Sequence, residues 1–304
     1  LPPKISIVTP NYNGVLFLEE TIKSVINQGY DNLEYIIIDG GSNDGSVDII
    51  KKYEKHLAYW VSEPDNGLYD AIQKGFERST GEVMAWINSD DIYHKGALEI
   101  VAEIFSRFDN IKWLQGLPNS IDEKGRSVYL ENNTPWCKAK FLSQWSVSNL
   151  NYGEYKWIQQ ESTFWHRDLW NKAGGFLNTK LKYAGDFELW LRFFRHEELF
   201  TVNALIGSFR LRSSNQLSLE FKSDYINEVT ELLNKEFNSL PKGYIEKLTS
   251  VLMFDYTMNQ LKSRIKRSLY FRKYFKMVEA RRKELFIYPK TIKFDRMTQQ
   301  FASH

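Results

Sequence analysis

Two adjacent carboxylates, Asp90 and Asp91, are the first residues in this sequence whose type and spacing could do chemistry. They close Asn88-Ser-Asp-Asp91, directly after the apolar run Val83 to Ile87. Neighbouring carboxylates repel each other. They become favourable beside a divalent cation such as Mg²⁺ or Mn²⁺, which takes oxygen ligands from one or two carboxylates and from phosphates. Such a cation neutralises charge on a departing phosphate. The competing explanation is a helix N-cap, because Ser or Asp before an apolar helix is common. Asp91 can serve both purposes.

Three further clusters carry candidate chemistry. Asp39 follows the run Ile36-Ile-Ile38 and precedes Gly40-Gly-Ser-Asn-Asp-Gly45. A carboxylate there can accept hydrogen bonds from a base or a ribose, or simply make the turn. In Glu63-Pro-Asp-Asn-Gly-Leu-Tyr-Asp70, Pro64 and Gly67 shape a strand-to-helix turn. Asp65 and Asp70 would bind hydroxyls or orient Lys74, or else cap the helix. In Gly185-Asp-Phe-Glu-Leu-Trp-Leu-Arg192, Asp186 opens a helix whose Phe187, Trp190, Leu191 and Phe194 pack inward. Asp186 and Glu188 are two apart and do not share a helix face. An Asp at such a junction is a cap, or a general base if it reaches a substrate hydroxyl. Trp136, Trp145, Trp157 and Trp165 offer faces for sugar rings, although large aromatics are more often core. The five histidines have no metal-ligand spacing, which argues against zinc. Neither G-x-G-x-x-G nor a phosphate-binding P-loop occurs.

Alternating elements must position these residues. Ile5 to Thr9, Tyr35 to Ile38, Leu57 to Val61 and Val83 to Ile87 read as strands. Helical stripes at Leu18–Ile26, around Ile50, and at Leu68–Phe76 separate them. The pattern predicts a largely parallel sheet covered on both faces. In such sheets ligands bind beyond the carboxyl ends of the strands, so Tyr12, Asp39, Asp65 and Asp90 fall along one rim. Residues 110 to 215 are less regular. From Leu219 the pattern is helical and basic, with no Gly or Pro between Gly243 and Pro289.

The 304 residues suit one or two globular domains. No repeat or low-complexity segment occurs, and no apolar stretch is long enough to span a membrane. No secretory leader is read at Leu1, and Cys137 has no partner for an internal disulfide, as expected of a cytoplasmic protein. The net charge of +2 hides an asymmetry: residues 262–293 hold twelve Lys/Arg against two Glu, so that segment is +10 and the remainder −8. Basic segments gain about 1 kcal/mol per Lys/Arg near anionic lipid. The tail could thus hold the protein on the inner face of a membrane; packing on the catalytic domain or on a second subunit is the alternative. Nucleic acid is disfavoured because no binding module accompanies the charge.

In this order, the clusters resemble family 2 of the glycosyltransferases. The matching pieces are Ile5-Ser-Ile-Val-Thr-Pro-Asn-Tyr-Asn-Gly14, Ile36 to Gly45, Glu63 to Ala71, Asn88-Ser-Asp-Asp91 and Asp186 to Arg192, and the resemblance covers roughly residues 4–218. It implies a GT-A fold, a three-layer α/β/α arrangement on a mostly parallel mixed sheet. Residues 1–218 would be catalytic (1–110 binding nucleotide, 111–218 acceptor), with 219–304 a basic helical extension. It implies an inverting, nucleotide-sugar-dependent enzyme. Thr9, Pro10 and Tyr12 would line the nucleotide pocket and Asp39 would meet the base, usually uracil. Asp65, Gly67, Asp70, Ser89, Asp90 and Arg212 would complete the donor side. Asp90 and Asp91 would hold Mg²⁺ or Mn²⁺, with Asp90 the family's metal-binding residue. Asp186 would be the catalytic base, and Glu161, Trp165 and Trp190 would meet the acceptor, a saccharide or lipid-linked saccharide. Three positions depart from the family pattern. Asn88 replaces the first Asp of Asp-x-Asp, Gly185 stands where a Glu often precedes the base, and Arg212 stands where relatives often carry a metal-binding His. Arg cannot ligate a cation but can pair with a diphosphate.

Two other functions are weighed. A nucleotidyltransferase needs a Gly-rich basic N-terminal loop, which Thr9-Pro-Asn-Tyr-Asn-Gly14 lacks. A non-catalytic membrane-associated subunit would depend on the basic tail and not on Asp186.

Overall fold

The computed structural model describes residues 2–131, 136–143, 158–213, 220–260, 269–287, 291–295, 298 and 300–303. Its first strands are β1 (Ile5–Asn11), β2 (Leu33–Asp39), β3 (Tyr59–Ser62) and β4 (Val83–Trp86). Side chains alternate across a strand, and here both faces are apolar. In β2, Tyr35 and Ile37 enter one core while Ile36 and Ile38 enter the other; in β4, Val83 and Ala85 oppose Met84 and Trp86. Strands buried on both faces need helices on both sides. Helices α1 (Leu18–Ile26) and α4 (Ala97–Arg107) cover one face, and α3 (Leu68–Arg78) covers the other; α2 (Ser46–Tyr53) connects β2 to β3. Gly75 lets α3 lie directly on Val8, whose methyl carbons a Cβ would meet.

The remaining strands are β5 (Ile92–Tyr93), β6 (Trp113–Gln115), β7 (Asn119–Ile121), β8 (Ser127–Leu130), β9 (Thr163–His166), β10 (Phe200–Val202), β11 (Gly207–Arg210), β12 (Thr291–Asp295) and β13 (Gln300–Ser303). The main sheet runs β13-β12-β10-β6-β9-β4-β1-β2-β3, and a smaller one runs β5-β11-β7-β8. β9 is antiparallel to both its neighbours, β4 and β6, and β13 is antiparallel to β12; the other pairs in the main sheet are parallel. The chain reverses its direction of growth at β1, between β2 and β4. That reversal opens a crevice at the strand ends, and Asn11 and Asn88 flank it.

Helices α5 (Lys138–Leu142), α6 (Arg167–Lys172) and α7 (Gly185–Phe193) belong to the second half. They are followed by α8 (Lys222–Ser239), α9 (Lys242–Gln260) and α10 (Leu269–Leu285). The described helices and strands after 218 pack and pair with the residues before it. Val229, Leu233 and Phe237 of α8 share a core with Trp113 and Trp190. Strand β12 pairs in parallel with β10, with Thr201 opposite Thr291. Nothing in the charge-rich sequence singles out β12 and β13; the pairing of β12 with β10, and of β13 with β12, makes them strands. Residues 261–268 and 288–290 of the basic segment lie outside the described residues, as do Trp145 and Trp157. Among the described residues no helix is long and apolar enough to cross a membrane.

Candidate functional site

The β1 and β4 loops meet at the crevice. Gly14 has no room for a Cβ, which would strike Asn11 Oδ1 and Ser89 Oγ. Tyr12 stands at the rim with 69% of its surface exposed. Thr9, expected to line the pocket, turns its side chain inward: it is fully buried, with Oγ1 3.0 Å from the Tyr35 hydroxyl. Pro10 is buried beside it. A continuous strand must alternate its side chains, so Thr9 serves the core.

Asp39 ends β2 as a filled clamp. It is fully buried. Its carboxylate accepts hydrogen bonds from Asn11 Nδ2, Ser42 Oγ and Ser62 Oγ, each at 2.6 Å, from the Ser42 amide at 2.9 Å and from the Gly41 amide at 3.2 Å. Burial would push its pKa up, but the bonds from Ser42, Ser62 and Asn11 outweigh burial and hold it below its ordinary value. About four lone-pair positions face five donors. Asp39 thereby ties the ends of β1, β2 and β3 together.

Asp65 follows β3. It accepts from the Gly67 amide at 2.8 Å and leans over Gly40, where a Cβ would come within 2.7 Å of its other oxygen. Burial pushes its pKa up. Gly67 has φ of 109°, which favours glycine. Asp70 accepts from the Asn66 amide at 3.0 Å and lies 3.5 Å from Lys74 Nζ. Lys74 also reaches Glu63 at 3.4 Å, so Asp70 and Glu63 orient it, not Asp65.

The Asn88–Asp91 corner splits into two roles. Asp91 is fully buried; one oxygen accepts from the Arg210 amide at 2.8 Å and the other from Asn88 Nδ2 at 3.1 Å. Burial holds its carboxyl well above the ordinary range. Helix α4 begins only at Ala97, after Gly96, so Asp91 caps no helix. Each of its oxygens is engaged, so Asp91 ties this corner to β11. Asp90 is partly exposed, and its Oδ2 lies 3.1 Å from Arg212 Nε. Asn88 Oδ1 is buried with no hydrogen-bond partner among the described residues. A divalent cation fits Asp90 together with that carbonyl oxygen. Among the described residues no three His, Cys, Asp or Glu side chains form a cage, so most other ligands would be water and phosphate oxygens, as is usual for Mg²⁺.

Arg210 was not singled out by its type or motif, yet it builds this corner. It is fully buried, donates to the Asp90 carbonyl at 2.6 Å and pairs with Glu20 at 2.7 Å. The available signal was the spacing of two between Arg210 and Arg212, which at a strand end sends both to one side.

Glu161 lies in the short turn Gln160–Ser162 before β9 and is buried. Burial, with Asp186 and Asp90 nearby, pushes its carboxyl up to about 7. Its Oε1 lies 3.5 Å from Asn88 Nδ2, so Glu161 backs the Asn88 corner. Asp186 is the second residue of α7 and is half-buried. It accepts from the Phe187 amide at 2.8 Å, and the Tyr69 hydroxyl stands 3.4 Å away. Burial raises its pKa to about 6. The expected acceptor contacts Trp165 and Trp190 are corrected: both are buried in an aromatic core with Trp86, at ring separations of 5.6 and 6.0 Å. Strand β9 and the inner face of α7 place them behind the site, not in it.

Comparisons with known proteins agree with this geometry. The sequence profile described as glycosyl transferase family 2 matches residues 6–164. An uncharacterized glycosyltransferase of Rickettsia typhi is 25% identical over 251 residues, covering 81% of this chain and 73% of the relative. TuaG of Bacillus subtilis, named for teichuronic acid biosynthesis, is 38% identical over 102 residues, 32% of this chain and 40% of TuaG. The fold matches a crystal structure of S. aureus TarS 1-349 in complex with UDP-GlcNAc, with a TM-score of 0.63 and 15% identity, covering 93% of this chain and 81% of that one. It also matches the mannosyltransferase PcManGT of Pyrobaculum calidifontis in complex with GDP-Man and Mn²⁺, with a TM-score of 0.51, 13% identity, and coverage of 92% and 84%. The chain spans about half, 47%, of a longer TarS structure. The expected α/β fold of GT-A type is therefore observed, and glycosyl transfer is the activity of its relatives. The chain belongs to glycosyl transferase family 2.

Proposed function

We propose that the chain is an inverting glycosyltransferase that moves a sugar from a UDP-linked donor to a hydroxyl of a glycan or lipid-linked saccharide. One observation carries the mechanism. Asp186 is a half-buried carboxylate at a helix start, raised by burial to about 6, and both it and Asp90 act on the buried Glu161 carboxyl. A base with a pKa just below working pH is ionised yet still basic. Asp186 takes the acceptor hydroxyl proton. The acceptor oxygen bonds to the anomeric carbon as the bond from that carbon to the diphosphate oxygen breaks. The nucleoside diphosphate leaves with the electron pair, and the single displacement inverts the centre. Arg212 pairs with the diphosphate. A divalent cation held by Asp90 and Asn88 would act as a Lewis acid on the same phosphates. The uridine donor is supported by the UDP-GlcNAc in the TarS structure, and the cation by the Mn²⁺ in PcManGT. Tyr12, Asp65, Gly67, Asp70 and Ser89 line the donor side. The basic residues of 262–293 hold the enzyme to anionic lipid on the cytoplasmic face of the membrane, where a lipid-linked acceptor is presented.

The test is turnover of a panel of UDP- and GDP-sugars with Mg²⁺, Mn²⁺ or EDTA, for the parent chain and Asp186→Asn. Release of nucleoside diphosphate by the parent, lost in Asp186→Asn, is the expected result. Full turnover in Asp186→Asn removes the base assignment. Sedimentation with vesicles containing phosphatidylserine, reversed by salt, is expected for the tail; equal binding to neutral vesicles contradicts that role.

A further inference from the structure

The segment that enters α7 is held from outside. The first amides of a helix lack intrahelical partners, and a Ser, Thr, Asp or Asn at the N-cap usually satisfies one of them. Here the N-cap is Ala184, which has no polar side chain. What fixes this end of the helix is Glu228 on α8, which reaches the segment just before it. Its carboxylate accepts three consecutive backbone amides: Lys182 at 2.9 Å, Tyr183 at 3.0 Å and Ala184 at 2.8 Å. Hydrogen bonds to an ionised acceptor are the stronger kind. Tyr69 of α3 grips the same turn from the other side. Its hydroxyl donates to the Tyr183 carbonyl at 2.8 Å, and its ring lies on Gly185, where a Cβ would come within 2.8 Å of three ring carbons. Tyr183 also stacks on Phe221, next to α8, at 5.1 Å. The backbone leading to Asp186 is thus clamped between Tyr69 and Glu228.

We infer that Glu228 is a positioning residue for glycosyl transfer, fixing the direction in which Asp186 leaves α7 by holding the amides of residues 182–184. The inference rests on Asp186 being the base. Glu228 touches neither donor nor acceptor in this role; it acts through the main chain. It gives α8, beyond the last family-like motif, a part in catalysis that its core packing alone would not. The geometry also accounts for Gly185, because any larger side chain there would displace Tyr69.

The test compares full-length parent, Glu228→Ala, Glu228→Gln and Asp186→Asn. It measures kcat and donor KM on the nucleotide sugar the parent turns over, and Kd for UDP or GDP by calorimetry. Misplacing a catalytic group by about 1 Å can cost about a hundredfold. Glu228→Ala is therefore expected to lower kcat about tenfold or more, while donor KM and nucleotide Kd stay within about twofold. Glu228→Gln keeps one acceptor oxygen and is expected to fall between the two. Unchanged kcat in Glu228→Ala overturns the proposal. So does a parallel loss of kcat and nucleotide affinity, the signature of a merely structural role. If Glu228→Ala does not fold, Glu228→Gln decides: parental kcat overturns the proposal, and a fall of about threefold or more at unchanged Kd supports it. Asp186→Asn separates the two ideas. If it keeps its turnover, the base assignment fails; if it loses turnover while Glu228→Ala keeps it, only the positioning role fails.

Discussion

The two halves of the site are built differently. On the donor side, Asp39 and Asp65 follow strands and Asp70 lies in the first turn of α3, each held at least in part by residues a few places away. Asp39 is held by Gly41 and Ser42, Asp65 by Gly67, and Asp70 by Asn66. On the catalytic side, partners come from far along the chain. Arg210 reaches Asp90, and Glu228 reaches residues 182–184. The donor half is written largely in its turns, with Asn11 and Ser62 the distant donors to Asp39, while the catalytic half is assembled by packing. Local turn chemistry should tolerate changes elsewhere, whereas the assembled half should lose rate when distant supports are removed.

Four experiments can break or sharpen that contrast. The largest effect is expected at the base itself: Asp186→Asn should lower kcat about 10³-fold with nucleotide affinity unchanged, measured by nucleoside diphosphate release. Next is Arg212→Ala, expected to cost about 10²-fold in kcat if the guanidinium stabilises the leaving diphosphate. A change confined to donor KM would instead make Arg212 a ground-state binder. On the local side, Asp39→Asn should destabilise the fold by about 2 kcal/mol, because an amide presents donors to donors in a buried clamp. Thermal unfolding reads this. Loss of UDP affinity at unchanged stability would make Asp39 a base contact and weaken the contrast.

The smallest effect is a pH dependence. Asp186 must be deprotonated to act, and burial sets its pKa at about 6. The rate should therefore be full above that value and fall about tenfold per unit well below it. Glu228→Ala opens the turn to water, which should move the midpoint down toward the ordinary Asp value. A flat profile through pH 6 contradicts the buried base.

How much was legible in the sequence follows the same division. Strands β1 to β4 and the rim they form follow from apolar runs ended by Asn, Asp and Gly, and those signals are short-range. The position of Asp186 at a helix start was legible too. The roles of Thr9, Trp165 and Trp190 were not, because a motif fixes residue type and spacing but not which face a side chain takes. Thr9 and Trp165 sit on strands buried on both faces, where alternation sends half of all side chains away from any ligand. The Arg210 amide that fills one Asp91 oxygen lies far along the chain, where no local motif points to it.

The sequence by itself determined the family, the alternating order of elements and the carboxylates available for chemistry. Tertiary structure decided what each of those carboxylates faces. Asn11 and Ser62 reach Asp39 and the Arg210 amide reaches Asp91 from other segments, while Asp90 faces Arg212 and Asp186 stands at the mouth of α7. The reason is physical: a buried carboxylate must find donors, and for Asp91 and the turn before Asp186 the partners lie far along the chain. Only folding brings Arg210 to Asp91 and Glu228 to the entrance of α7.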